Sequence, residues 1–469
     1  MRFATFWVLI AACTGEVATD DTAPTGFPPG DCEATLTMSD GVASTGIVSW
    51  TTDEPGRSWV EYGENVTLGQ RTVAGGDDLA DHTFLLAGVP TSSVWYWQAV
   101  TETADGDELR CTMQTIDTGP RPRGLKDYDV VEGPTADVMP GFRVITSQIG
   151  ESFTVMTDAR GRGVWWYPEA EDTITQRMYV GADGVTTTRM TANNDFSVDE
   201  SMIHRVRLDG EALSETRVPM GHHDFVELDD ATYAYAYVQA VLHEAAFTDD
   251  SGTYGVMGDA IVEISEDGAQ SRTVWSSWDT DLPLVVDPET DEGFYSPNLD
   301  WTHVNAVQYV ASQDAYLISV RNLDLVLLVA REDGRTIWQF GGDGSDFELT
   351  DGRFMDGQHA VELLDDTHLL MFDNGGHDGS GFSRAVEYEL DLTAMTAREA
   401  WEYDAGQSIT AILLGDVERL PNGNTAIVWG NQAVYSEVSE PGEVQLRLDF
   451  ELGPSSGYVD YVETLGGPL

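Results

Sequence analysis

His359-Ala-Val-Glu-Leu-Leu-Asp-Asp366 is one of three phrases in this chain that open on histidine, the others being His223-Asp-Phe-Val-Glu-Leu-Asp-Asp230 and His303-Val-Asn-Ala-Val-Gln-Tyr-Val310. A fourth copy, Gly415-Asp-Val-Glu-Arg-Leu-Pro-Asn-Gly-Asn424, keeps the phrase without the histidine. The step from His303 to His359, and from His359 to Gly415, is 56 residues, in the range of one four-stranded propeller blade. The step from His223 to His303 is longer by 24, and the acidic, Pro-bearing stretch Asp279 to Pro297 is the expected insertion. Equivalent positions of successive blades ring a central channel. The three histidines are therefore expected to converge.

A second phrase, an apolar strand ending in Asp-Gly or a close variant, recurs at Arg205 to Gly210, Val262 to Gly268, Leu328 to Gly334 and Val386 to Asp391. The last three are followed by strands bearing Trp275, Trp338 and Trp401. Tryptophan repeated at blade-equivalent strands is expected to pack between blades. Long helical periodicity is absent. The repeat spacing predicts about six blades over residues 125–469.

Ahead of the repeats, residues 32–118 alternate apolar and polar residues in short runs such as Ser58-Trp-Val-Glu-Tyr62 and Val94-Trp-Tyr-Trp-Gln-Ala-Val100. Bounded by Gly, Pro and Asp, they predict a β-sandwich of about seven strands. The fold class is thus all-β, a six-bladed β-propeller preceded by a small immunoglobulin/fibronectin-like sandwich, with Thr118 to Gly124 as the boundary. Val48-Ser-Trp-Thr-Thr-Asp-Glu-Pro55, Val60-Glu-Tyr-Gly63 and His82-Thr-Phe-Leu-Leu-Ala-Gly-Val89 resemble a fibronectin type III-like module.

The chain carries 81 acidic and 24 basic residues, a formal charge of -57, and Lys126 is its sole lysine. Such a surface repels nucleic acid and anionic lipid, which excludes them as partners. It also repels itself unless salt screens it, which points to a saline habitat. Met1-Arg2 and the apolar run to Ala12 suit a signal peptide over residues 1–13 and are too short to span a bilayer. Ile10-Ala-Ala-Cys13 resembles a bacterial lipobox, so Cys13 is the expected lipidation site and residues 14–31 a flexible tether. The expected location is exported and lipid-anchored at the outer membrane, with contact to membrane only through that anchor. Cys32 and Cys111 then remain, and an oxidising compartment makes a disulfide between them plausible.

Each histidine precedes an apolar strand, and the next strand ends in a polar residue: Arg321 after Tyr316 to Val320, and Asn374 after His368 to Asp373. Antiparallel neighbours bring the start of one strand to the end of the next. Arg321 is thus expected beside His303, and Asn374 beside His359. Imidazoles that are neutral near an ordinary pKa of about 6.5, together with an arginine fork, suit binding and transfer of a small oxyanion. The competing chemistry is a metal held by the three histidines with Asp224. The positively charged Arg321 argues against it. His204, His243 and His377 carry no comparable positional argument.

The ordered set Gly221-His-His-Asp224, Asp300-Trp-Thr-His-Val-Asn305, Ser319-Val-Arg321, Ile337-Trp-Gln-Phe-Gly-Gly342, Gln358-His359, Phe372-Asp-Asn-Gly375, Ser383-Arg-Ala-Val-Glu-Tyr388 and Leu420-Pro-Asn-Gly-Asn424 resembles the bacterial arylsulfate sulfotransferases over roughly residues 140–465. The resemblance implies a six-bladed propeller that moves a sulfuryl group from a phenolic sulfate ester to a phenol through a sulfohistidine, with ping-pong kinetics and without nucleotide or other cofactor. It makes His359 the nucleophile. His303 and Arg321 would hold the sulfuryl oxygens with Asn305 in support, and His223 of the His222-His223 pair would do acid/base work at the phenol oxygen. Asn374 and His222 are further candidates for substrate contact, and Arg384 is expected to pair with blade carboxylates. The alternative is a catalytically silent surface-binding propeller, which would bind such ligands without turnover.

Overall fold

The computed structural model describes residues 27–122, 128–147, 153–168, 173–193, 200–288, 295, 297–377, 381–450 and 456–469. The expected leader, with Cys13 and most of the tether, lies outside the described residues.

Strand-forming runs with Gly or Asp turns build six sheets of four or five strands from the described residues from Tyr128 onward, antiparallel except for the short added strands Leu299–Asp300 and Glu348–Asp351. Their innermost strands are, in chain order, Thr173–Val180, Gly221–Glu227, Val304–Val310, His359–Leu363, Asp416–Arg419 and Ser456–Val462. Each lies beside the next, and Ser456–Val462 lies beside Thr173–Val180, so the ring closes. The closing sheet joins both ends of the repeat region, because Ser456–Val462 pairs with Phe142–Ser147. The preceding blade takes Tyr128–Glu132 as an added outer strand. The fold is a β-propeller.

Burial between successive blades holds the ring together. Trp275 packs with Val304, Ile318 and Leu327 of the next blade, Trp338 with Val361 and Tyr388, and Trp401 lies against Val417 and Trp429. The repeated tryptophans are thus packing residues. Arg384 is buried among carboxylates, donating to Asp373 (2.8 Å), Glu399 (2.6 Å) and Glu402 (2.9 Å).

Residues 34–117 form two further sheets around Trp50, Tyr62, Trp95 and Trp97. Cys32 and Cys111, adjacent through a β-bridge, are joined by a disulfide. The last strand, Gly467–Pro468, pairs with Asp81–Leu86. The end of the chain therefore completes a sandwich sheet, where the sequence reading carried the propeller to residue 469.

At the site-bearing end the inner strands share one irregularity. Register shifts fall between Gly221 and Phe225, Val304 and Ala306, and His359 and Val361. His223 (φ +61°), His303 (φ +49°) and Ala360 (φ +47°) occupy the left-handed region there. A bulge of this kind inserts an unpaired residue and re-aims side chains. Each such residue costs on the order of 1–3 kcal/mol and persists only where its surroundings enforce it.

Candidate active site

The bulges bring three imidazoles together. The His223 ring centroid lies 4.8 Å from that of His303 and 5.8 Å from that of His359. His359 is 1% exposed and His223 8% exposed, while the His303 side chain keeps 14%. Arg321 begins a short 3-10 turn after the strand Ala315–Val320, and its N–H donates to the His303 carbonyl at 3.3 Å. The antiparallel geometry read from the repeats thus places Arg321 beside His303.

Each ring is anchored through Nδ1, and the three anchors differ. His359 Nδ1 lies 2.7 Å from the Gly415 carbonyl oxygen. A carbonyl only accepts, so the proton sits on Nδ1 and the lone pair on Nε2. Nε2 is buried and has no hydrogen-bond partner among the described residues. Burial pushes the His359 pKa down to about 3; the Gly415 bond opposes this, and the nearby His303, Arg321 and Arg177 reinforce it. His359 is therefore a neutral imidazole with a lone pair available at Nε2.

The fourth phrase lacks its histidine for a structural reason. Gly415 has φ +108°, and a Cβ there would lie 2.4 Å from the Phe372 ring. Phe372 is the cross-strand partner of His359. The fourth blade position thus contributes a backbone oxygen that orients the third histidine.

His303 Nδ1 lies 2.5 Å from Asp300 Oδ2. That contact, from a residue three positions earlier in the chain, holds the His303 ring in place at the edge of the cluster. His223 Nδ1 lies 2.7 Å from His222 Nδ1, and His222 Nε2 lies 2.8 Å from Asp259 Oδ1. Burial, then the charges of His303, His222, His359 and Arg321, hold His223 well below the ordinary histidine range.

The remaining candidates sit one step back. His222 is fully buried behind His223, so the expected substrate contact is instead a support. Asn305 donates to the Gln358 carbonyl at 2.9 Å and fixes the peptide that leads into His359. Asn374 Nδ2 donates to the carbonyls of Ala411 and Leu414 (3.0 Å). Its donors are spent on the loop that carries Ile412, whose carbonyl accepts from Arg321 Nη2 at 3.2 Å. Asn374 therefore shapes that loop through its Nδ2, while its Oδ1 is buried with no hydrogen-bond partner among the described residues. Asp224, weighed as a fourth metal ligand, accepts from the N–H groups of Phe225 (2.9 Å) and Val307 (3.0 Å) and lies 3.9 Å from Arg177.

Several functional groups carried no sequence signal of their own. His377 Nδ1 accepts from Arg321 Nη1 (3.2 Å) while its Nε2 lies 2.9 Å from Asp324. Asn322 Oδ1 is also 3.2 Å from Arg321 Nη1. Three donors of the five on the guanidinium fork are thus committed to His377, Asn322 and Ile412, which fixes its plane. Burial lowers the Arg321 pKa despite the pull of Asp300, Asp324 and Asp356. Tyr458 packs its ring 5.3 Å from His359 and donates to the Asn305 carbonyl at 2.7 Å. Beyond it, Arg177 stacks on Tyr458 and Tyr179. It faces a cavity of about 500 Å³ lined by Glu362, Asp416, Glu418 and Asp460.

Set against known proteins, residues 128–452 match the family model described as Arylsulfotransferase (ASST). The arylsulfate sulfotransferase AssT of Escherichia coli O6:H1 is 22% identical over 372 residues, 62% of this chain and 59% of that protein. The AssT of Lelliottia amnigena is 22% identical over 389 residues, 66% of this chain and 61% of that protein. The chain spans about three fifths of the length of the curated relatives it matches. Among solved structures, virginiamycin B lyase from Staphylococcus aureus aligns with 70% of this chain and 89% of its own, at 11% identity and a TM-score of 0.33. The match over residues 128–452, which hold the histidine cluster, means that this chain belongs to the arylsulfotransferase (ASST) family.

Proposed function

We propose that this protein transfers a sulfuryl group from a phenolic sulfate ester to a phenol through a sulfohistidine at His359. The observation that carries the reading is the buried, unpartnered Nε2 of His359, whose lone pair is fixed by the Gly415 anchor behind it.

In the first half-reaction His359 Nε2 attacks sulfur, the N–S bond forms, and the S–O bond breaks with its electron pair leaving on the phenol oxygen. In the second, a phenol oxygen attacks the same sulfur and the N–S pair returns to Nε2. A sulfuryl group should pass, like a phosphoryl group, through a loose transition state that asks for positioning and oxyanion donors. His303, held by Asp300, and the clamped Arg321 supply those donors at one edge of the cluster. One pocket serves donor and acceptor in turn, which predicts ping-pong kinetics.

The test is steady-state transfer from p-nitrophenyl sulfate to phenol in 1 M salt, an ionic strength at which the Debye length falls to about 3 Å. Parallel double-reciprocal lines, abolished by His359→Ala, are expected. Intersecting lines, or turnover that survives His359→Ala, would exclude the covalent route. Ligand binding by folded protein without product would favour the silent propeller.

A further inference from the structure

The pair behind His223 is more elaborate than packing requires. His222 is fully buried, and its two ring nitrogens are both engaged, Nδ1 by His223 and Nε2 by Asp259. Asp259 is 2% exposed and lies in the strand Thr253–Ile264, 37 residues away in sequence. Its second oxygen accepts from Thr302 Oγ1 (2.6 Å) and Val304 N–H (2.8 Å), at the entry to the His303 strand. Burial opposes its charge, but the bonds from His222, Thr302 and Val304 hold its carboxyl below the ordinary carboxylate range. Asp259 is thus a carboxylate that only accepts.

That fixes the protons along the row. His222 must donate from Nε2 to Asp259, so in neutral His222 the Nδ1 is an acceptor. His223 must then donate from its own Nδ1, which leaves the His223 lone pair on Nε2. Neighbouring side chains of a regular strand point to opposite faces. The left-handed His223 (φ +61°) breaks that alternation and lets the two Nδ1 atoms meet.

We propose that Asp259 and His222 are positioning residues that set His223 as the base which takes the proton of the acceptor phenol. The inference rests on the sulfuryl-transfer reading above. As the acceptor oxygen bonds to sulfur, its proton passes to His223 Nε2 while the N–S electron pair returns to His359. The first half-reaction releases the donor phenolate without a proton, and the proton that His223 gains in the second passes through solvent to that phenolate, which restores the neutral base. Burial, then His303, His222, His359 and Arg321, disfavour positive charge on His223. The carboxylate two steps behind offsets them, because the His223 Nδ1 that carries a proton lies 2.7 Å from His222 Nδ1, whose ring is bonded in turn to Asp259. Loss of the carboxylate frees His222, and with it His223, to take the opposite tautomer.

The experiment separates the two half-reactions in Asp259→Asn. p-Nitrophenyl sulfate has a good leaving group that departs without a proton, whereas phenol, with a pKa of about 10, needs a base. The nitrophenol burst and the sulfuryl adduct should persist within about threefold of the parent, while transfer to phenol falls about 10²- to 10⁴-fold, the usual range for a lost acid–base group. The loss should shrink along a series of increasingly acidic nitro-substituted phenols. A purely structural defect would not follow acceptor acidity. If Asp259→Asn does not fold, His222→Gln keeps the bonds of Asp259 to Thr302 and Val304 and carries the same comparison. Equal losses in both half-reactions, or no dependence on acceptor acidity, would overturn the relay while wild-type turnover left the transfer reading intact. Absence of any adduct in the parent protein would sink the transfer reading itself.

Discussion

Gly415→Ala tests the structural logic of the site most economically. The residue has φ +108°, and the new Cβ would lie 2.4 Å from Phe372 Cδ1 and 2.5 Å from Cε1. Backbone strain at such a φ costs on the order of 1–3 kcal/mol. Overpacking a buried ring adds about 1–3 kcal/mol, so the sum is roughly 2–6 kcal/mol, against a domain stability of about 5–15 kcal/mol. The variant should fold. It should not keep the Gly415 carbonyl 2.7 Å from His359 Nδ1, because relief requires either that peptide or Phe372, the partner of His359, to move. A misplacement of about 1 Å in a catalytic group costs on the order of 100-fold. The assay is urea unfolding and initial rate in the same salt buffer, with Gly423→Ala alongside. Gly423 also has positive φ (+86°) but nothing within 4 Å of its Cβ position. It should lose about 1–3 kcal/mol, the cost of backbone strain alone, and no activity. If Gly415→Ala matches Gly423→Ala in both readouts, neither the clash nor the carbonyl anchor has the role assigned to it.

Other expectations follow from the same geometry. Arg384→Met leaves Asp373 buried without its guanidinium partner and should lower unfolding free energy by about 3–5 kcal/mol, as for other broken buried pairs. Burial, reinforced by Asp416, raises the Glu362 pKa to about 7. A pKa raised on folding stabilises the protonated form, so this carboxyl costs nothing at pH 4 and progressively more as pH rises through 7. Glu362→Gln should therefore stabilise the protein at pH 8, by at most about 3 kcal/mol at 1.4 kcal/mol per pKa unit, and leave it nearly unchanged at pH 4; urea midpoints at the two values check this. With a formal charge of -57, the unfolding midpoint should rise between about 0.1 and 1 M NaCl, as the Debye length contracts from about 10 Å to about 3 Å.

The parts of the site legible in the sequence were those written as repeated side chains. His223, His303 and His359 share a phase, and a 56-residue period, lengthened by 24 residues between His223 and His303, delivers them to one cluster. Arg321 could be placed beside His303 because antiparallel pairing is local and regular. The anchors were not legible, each for its own reason. Asp259 reaches His222 from another strand, 37 residues on, and no periodicity connects them. The anchor of His359 is a backbone oxygen, which any residue possesses; only the shape of the Phe372 contact reveals why glycine stands there. Asp300 lies three residues before His303, within a string already singled out, and its pairing was the nearest to being read. Asn374 and His222 were placed at the correct end of the channel, but their donors and rings turn into the protein. Strand spacing fixes where a Cα lies, whereas a bulge decides where its side chain points.

The most direct measurement is mass spectrometry of the protein mixed briefly with p-nitrophenyl sulfate without acceptor, followed by peptide mapping. The account predicts a gain of about 80 Da, the mass of one sulfuryl group held by an activated nucleophile, on the peptide containing His359. It should be absent from His359→Ala and discharged by added phenol. An adduct on another residue, or released nitrophenol with no covalent adduct at any time point, would contradict it.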